Sequence, residues 1–342
     1  MVKNQVIRIE DVARKAGVSP ASVSNAFNHR WARISPETRN RIFAVAARLN
    51  YTPNAAASSL RNRRTRSIGT VVTNILNPFY TAVVRAIQDA ARRVGYSVIV
   101  CNTDDNVKQE QEMLQVLRAK QIDGLLLVTA GSNPQLKEAL SAGTPVVLLD
   151  RHHPSLHLDT VRVDNEAAAR EAIEYLILLG HRRIGLLSGP AVGIPTRLAR
   201  IDGYNAALKQ SRIATHERYR KLVATDAESG FRATRELLSL RHPPTALFVA
   251  NTCLAVGALD AIHRSGLRIP ADISFLMFDD PDWGRLLTPP VTAVAQPTQR
   301  IGQAAFDLLW ERLEGATGPP KEVVIATQFM LRSSCGDPRS ER

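Results

Sequence analysis

The chain has 342 residues, 44% hydrophobic and 22% charged, a soluble-protein composition with room for two or three domains. No apolar run can cross a bilayer, Met1–Gln5 lack the apolar stretch of an export signal, and Cys101, Cys253 and Cys335 are too few and too scattered for a disulfide framework or a metal site. The net charge is +12, and residues 1–67 hold thirteen Lys and Arg against Glu10, Asp11 and Glu37, so a basic head precedes a nearly neutral body. No membrane contact, no metal and no cofactor are expected, and the cytoplasm is the expected location.

Ile9, Val12, Ala13 and Ala16 recur at helical spacing, and Gly17 breaks that helix. Ser19 is a good N-cap and Pro20 suits a first helical position, so a second short helix follows with Val23 and Phe27 turned inward. Ser35-Pro36 repeats the same start and opens a third helix with Ile42, Val45, Ala46 and Leu49 on one face. Three short helices around a small core predict a helix-turn-helix unit whose second helix enters the major groove of DNA. Pro20, Ala21, Ser22 and Asn25 are its candidate base readers. Asn25 is the strongest of them, because its amide can pair bidentately with adenine. Ser19, Ser24, Arg30 and Arg39 are the candidate phosphate contacts. The alternative for each is an ordinary solvated side chain.

Tyr51-Thr52-Pro53-Asn54 ends the head. Asn54 can cap the alanine-rich stretch Ala55–Leu60, which includes Ala57 and is too short to hold a helix alone in water. It is expected to become helical on DNA, with Leu60 beside Arg61, Arg63 and Arg64 as a minor-groove wedge. A plain linker is the competing reading.

These residues resemble the LacI/GalR family of bacterial repressors. The run Ile9–Ser19, then Val23-Ser24, Thr38-Arg39, Leu49–Asn54, Leu60 and Ser67-Ile68-Gly69, looks like that family's head and hinge. The loop Asn28–Ile34 and the stretches Asn74–Leu76 and Tyr96–Asp105 are similar to the family's keto-deoxygluconate-type regulators. The resemblance extends to about residue 335. It implies a homodimer on a pseudo-palindromic double-stranded DNA operator, with paired hinge helices and Leu60 opening the central base step.

In the body, apolar runs at 68–73, 97–101, 124–128, 145–149, 183–187, 245–249 and 273–277 read as strands. Amphipathic helices at 79–94, 107–119, 165–179, 197–209, 228–239 and 251–265 alternate with them. The expected fold is an α/β two-lobed periplasmic-binding-protein-like body, made of two parallel doubly wound sheets, behind the all-α head. The boundaries read as head 1–53, hinge 54–67 and body 68–342. Within the body, lobe 1 covers about 68–162 and 297–321, and lobe 2 about 163–296 and 322–335.

Ligands of such folds sit where strands end, in the crevice. Phe79, Tyr80, Arg151, Arg200, Asn251, Asp279 and Trp283 fall there. The resemblance implies that positions like Arg151, Arg200, Asn251 and Asp279 hydrogen-bond the effector. One departure is Thr252, where the family often has Asp. Two arginines suit a carboxylate, so the effector is read as a sugar or, by preference, a sugar acid. An enzyme is disfavoured: there is no phosphate loop, metal cluster or nucleophile elbow. A solute-binding protein without a regulatory role and a regulator of nucleobases or nucleosides are the alternatives. The expected function is a DNA-binding transcriptional regulator, a repressor by preference.

Overall fold

The computed structural model describes residues 7–27, 33–51, 64–131, 133, 136, 140, 143–153 and 155–338. Two compact units divide the chain between Thr65 and Arg66.

The first unit contains three helices, α1 (Ile9–Ala16), α2 (Pro20–Phe27) and α3 (Pro36–Arg48). Gly17 ends α1 at φ 64°, and its added Cβ would meet nothing within 4 Å. The left-handed backbone, rather than crowding, is therefore what calls for glycine there. Ser19 caps α2 by accepting the Ser22 N–H at 3.2 Å, and Ser35 caps α3 by accepting the Thr38 N–H at 3.3 Å. Val12, Val23, Ala26 and Ile42 are fully buried at the centre of the three helices. Phe27 completes the core from its edge, meeting Phe43 and Tyr51 edge-to-face at 5.2 and 5.8 Å between ring centroids.

The second unit is built from two six-stranded sheets. The first comprises β1 (Ser67–Val72), β2 (Ser97–Asn102), β3 (Gly124–Leu127), β4 (Val146–Leu149), β5 (Asp159–Arg162) and β11 (Glu322–Val324). Its order is β11-β5-β4-β3-β1-β2, and every pairing is parallel. The second comprises β6 (Ile184–Ser188), β7 (Arg220–Leu222), β8 (Ala246–Val249), β9 (Ser274–Phe278), β10 (Thr292–Ala295) and β12 (Gln328–Met330). Its order is β12-β10-β9-β8-β6-β7, parallel except where β12 runs against β10.

The helices around the first sheet are α4 (Pro78–Arg93), α5 (Val107–Ala119) and α10 (Thr298–Leu313). Around the second are α6 (Asn165–Leu178), α7 (Pro195–Gln210), α8 (Ala227–Leu238) and α9 (Thr252–Arg264). Burial on both faces explains why the strands read as continuous apolar runs. In the second sheet, Leu186, Phe248 and Phe278 face one apolar layer while Leu187, Val249 and Met277 face the other.

The chain passes between lobes three times, after β5, after β10 and between β11 and β12. One expectation is corrected by this path. Residues 322–324 were assigned to lobe 2, but β11 pairs with β5, placing Glu322 beside Thr160 in the first sheet. A pair of valines at a sheet edge carries no sequence signal for which of two sheets it joins. Among the described residues, no helix is long and apolar enough to cross a membrane.

Candidate functional site

The outer surface of α2 is set by helix geometry. Val23 and Ala26 are buried, so Ala21 and Asn25, one turn apart, lie on the opposite side. Ser19, Pro20 and Ala21 are exposed, and Ser22, Ser24, Asn25 and Arg39 are half-buried. The helix has no carboxylate to repel phosphate, and its N-terminus begins with small side chains that admit close approach. Arg30, Asn54, Ala57 and Leu60 lie outside the described residues.

In the second unit, a narrow cleft opens where the strands of both sheets end. Its lobe 1 wall holds Phe79 and Tyr80 at the start of α4, Asp105 beyond β2, and Asp150 and Arg151 beyond β4. Its lobe 2 wall holds Arg197 and Arg200 on α7, Asn251 beyond β8 and Asp279 beyond β9. Of the seven residues anticipated from the sequence, six therefore line this cavity. Trp283 does not: its ring packs against the apolar layer of Ile273, Phe275 and Met277. An indole next to a strand end has more area to gain from the core than from a polar cleft.

Asn77 caps α4 by accepting the Phe79 N–H at 3.0 Å, which fixes the aromatic pair at the rim. The Tyr80 hydroxyl donates to Asp150 Oδ2 at 3.0 Å. Burial first, then the Asp150 charge, push the tyrosine's pKa well up, so it stays a donor. Asp150 and Asp279 have left-handed backbones, φ 61° and 73°, which turn each carboxylate off its strand into the cleft.

Arg151 is almost fully buried. It donates to the Thr129 carbonyl at 2.7 Å and to Asp105 Oδ1 at 2.7 Å. Arg197 reaches the same carboxylate from the other lobe, at 2.6 Å to Oδ2. Arg200 donates to Asn165 Oδ1 at 2.8 Å and to the Ala250 carbonyl at 2.7 Å. Asp279 accepts from Gln296 at 2.7 Å and from the Thr252 hydroxyl at 3.3 Å. Burial pushes the Asp279 carboxyl upward and the Arg200 guanidinium downward, and each partly offsets the other's shift. Asn251 is shared between roles, since its Oδ1 caps α9 by accepting the Cys253 N–H at 2.9 Å.

Three buried polar atoms here, Asp150 Oδ1, Arg151 Nε and Gln296 Oε1, have no partner among the described residues. Buried polar atoms are ordinarily hydrogen-bonded, so each is a candidate contact for a molecule held in the cleft. A second hollow, about 260 Å³, shares Phe79 and Asp279 with the first and adds Gln296.

Asp105, Asp150, Arg197 and Gln296 were not among the anticipated site residues. Asp150 adjoins Arg151 at a recognised strand end, and Arg197 precedes Arg200 by one helical turn, so both could have been found. Gln296 follows β10, Thr-Ala-Val-Ala, whose alanines and threonine give no clear apolar run in the sequence. The pairing of Asp105 with two arginines depends on contacts 46 and 92 residues apart in the chain.

A two-lobed ligand cleft joined to a helix-turn-helix unit defines a ligand-responsive DNA-binding regulator. The comparisons with known proteins agree. Residues 65–333 match the model of periplasmic binding proteins and the sugar-binding domain of the LacI family. Residues 8–54 match that of bacterial regulatory proteins of the lacI family. The chain therefore belongs to the LacI family, and it is a transcriptional regulator rather than an enzyme.

Among its relatives, the ribose operon repressor of Haemophilus influenzae is 34% identical over 329 residues, covering 95% of this chain and 98% of that protein. The regulator PtxS of Pseudomonas aeruginosa is 36% identical over 335 residues, covering 96% and 95%. The Lac repressor dimer bound to operator and the anti-inducer ONPF superposes with a TM-score of 0.85. It is 28% identical, with 97% of this chain and 100% of that one covered.

Proposed function

We propose that this protein represses transcription as a homodimer on a twofold-symmetric operator, and that a small sugar-type effector in the interlobe cleft controls its grip on DNA. The observation that carries the effector reading is the pair of unpartnered buried atoms on adjacent residues, the acceptor Asp150 Oδ1 and the donor Arg151 Nε, on residues that line the cleft between the lobes. A sugar hydroxyl both donates and accepts, and the Phe79 and Tyr80 rings offer an apolar surface for the ring face.

Ala21, Ser22 and Asn25 read bases in this account, and Ser19, Ser24 and Arg39 hold phosphates. Effector binding changes the angle between lobes and so the relation of the two heads of a dimer, a coupling typically worth about 1–3 kcal/mol. A cytoplasmic location goes with this role. Selection of binding sites from random duplex DNA by the purified protein tests it. Recovery of a sequence made of two inverted half-sites supports the proposal, and recovery of no shared sequence contradicts it.

A further inference from the structure

Asp105 stands out in the cleft because both of its carboxylate oxygens are used, one by each lobe. Oδ1 accepts from Arg151 at 2.7 Å and Oδ2 from Arg197 at 2.6 Å. The residue is held for this task. Its backbone is left-handed at φ 56°, directly after Asp104 at φ 48°, and its N–H donates to the Thr73 carbonyl at 3.1 Å. Each arginine is also tied within its own lobe: Arg151 reaches the Thr129 carbonyl at 2.7 Å, and Arg197 the Pro190 carbonyl at 3.2 Å. A carboxylate gripped by two guanidiniums is the arrangement in which an acidic ligand is bound. Here the chain itself supplies the acid.

The charge count of the cavity follows from this. Arg151, Arg197 and Arg200 face Asp105, Asp150 and Asp279, three of each sign. An incoming carboxylate would add a fourth negative charge and meet the free Oδ1 of Asp150. Uncharged hydroxyls meet no such opposition. The expectation of a sugar acid rested on Arg151 and Arg200, and the first of these already holds Asp105.

We propose that Asp105 is the specificity-determining residue of this cleft: it occupies the Arg151–Arg197 pair from within, so that the effector is an uncharged polyhydroxy compound, and it ties the two lobes together. This rests on the effector reading above. Replacing Asp105 with Asn leaves both guanidiniums without their anion and makes room, in charge and in hydrogen bonds, for an acid.

Calorimetric titration of the full-length protein and of Asp105→Asn with pentoses and hexoses, each beside its aldonate and uronate, tests the proposal. The wild type is expected to bind a neutral sugar at least ten-fold more tightly than the matching acids. The variant is expected to move that ratio at least ten-fold toward the acid, and Asp105→Glu to keep the wild-type preference. A wild type that prefers the acid overturns the proposal, as does a ratio unchanged by Asp105→Asn. Should Asp105→Asn fail to fold, Arg197→Gln, which frees one oxygen of Asp105, is expected to weaken the acid further, and a ratio unchanged by it overturns the proposal. Failure of the wild type to bind any compound of the panel contradicts the effector reading itself, a result distinct from binding with the wrong preference.

Discussion

The guanidinium of Arg200 lies 3.6 Å above the ring centroid of Phe278. The stack orients the fork so that Nε meets Asn165 and Nη1 meets the Ala250 carbonyl, both within 2.8 Å. Lysine has neither a flat face nor a fork. We predict that Arg200→Lys lowers stability by about 1–3 kcal/mol, because at least one buried acceptor loses its donor. It should also weaken effector binding at least ten-fold, about 1.4 kcal/mol. Thermal denaturation and calorimetry report the two effects, and unchanged effector affinity would remove Arg200 from the site.

Asn25 lies on the face of α2 opposite Val23 and Ala26, so truncating it leaves the head's core untouched. The prediction for Asn25→Ala is a loss of roughly 1–3 kcal/mol at one base position in each half-site, with little change on duplexes already mismatched there. Anisotropy titrations on a set of single-base operator variants show this as a flattened preference at one position. A uniform loss across all variants would mark Asn25 as a phosphate contact instead.

Asp159 on β5 is nearly buried and accepts from Arg312 of α10 at 2.7 and 2.9 Å and from the Lys321 N–H at 2.7 Å. Burial alone would raise its pKa, but these bonds hold it below the ordinary 3.8. A depressed native pKa favours the ionised form when folded. The stabilisation is therefore present above the ordinary value and is lost as the pH falls through the native one. Asp159→Asn is predicted to cost about 2 kcal/mol at neutral pH, the scale of a charge-assisted hydrogen bond. Urea denaturation should show the gap between wild type and variant closing in acid; a gap that widens there would contradict the assignment.

Gly257 sits where α8 and α9 press together, and a Cβ there would lie 1.7 Å from the Ala227 carbonyl oxygen. Backbone cannot yield as a side chain tip can. Gly257→Ala is predicted to destabilise the second unit by more than about 2 kcal/mol, despite alanine's better helix propensity. A melting temperature equal to the wild type's would show that the helices part at little cost.

Much of this was legible in the sequence for a physical reason. Strands buried on both faces, such as Gly124–Leu127 and Val146–Leu149, are apolar at every position, and the helices between them carry one apolar stripe. Short strands with polar residues escaped notice: β7, at a sheet edge, is Arg-Lys-Leu, and β5, between β11 and β4, opens with the aspartate that anchors Arg312. The cleft was legible where residues follow recognisable strand ends, as Arg151, Asn251 and Asp279 do. It was not legible where a partner decides the meaning of a side chain. Arg151 looks like a carboxylate binder until Asp105 is found holding it to Arg197, and Trp283 looks like a sugar platform until its core contacts are seen.

The central claim, that one end of the chain grips DNA under the control of a ligand at the other, is tested most directly by a single titration. A duplex selected by the protein is labelled, and its affinity is measured with and without the sugars of the panel at fixed moderate salt. The account predicts binding at least about 10³-fold tighter than to random duplex. It also predicts a change of roughly 5- to 150-fold when the cognate sugar is added. Equal affinity for selected and random DNA, unmoved by any sugar, would contradict it.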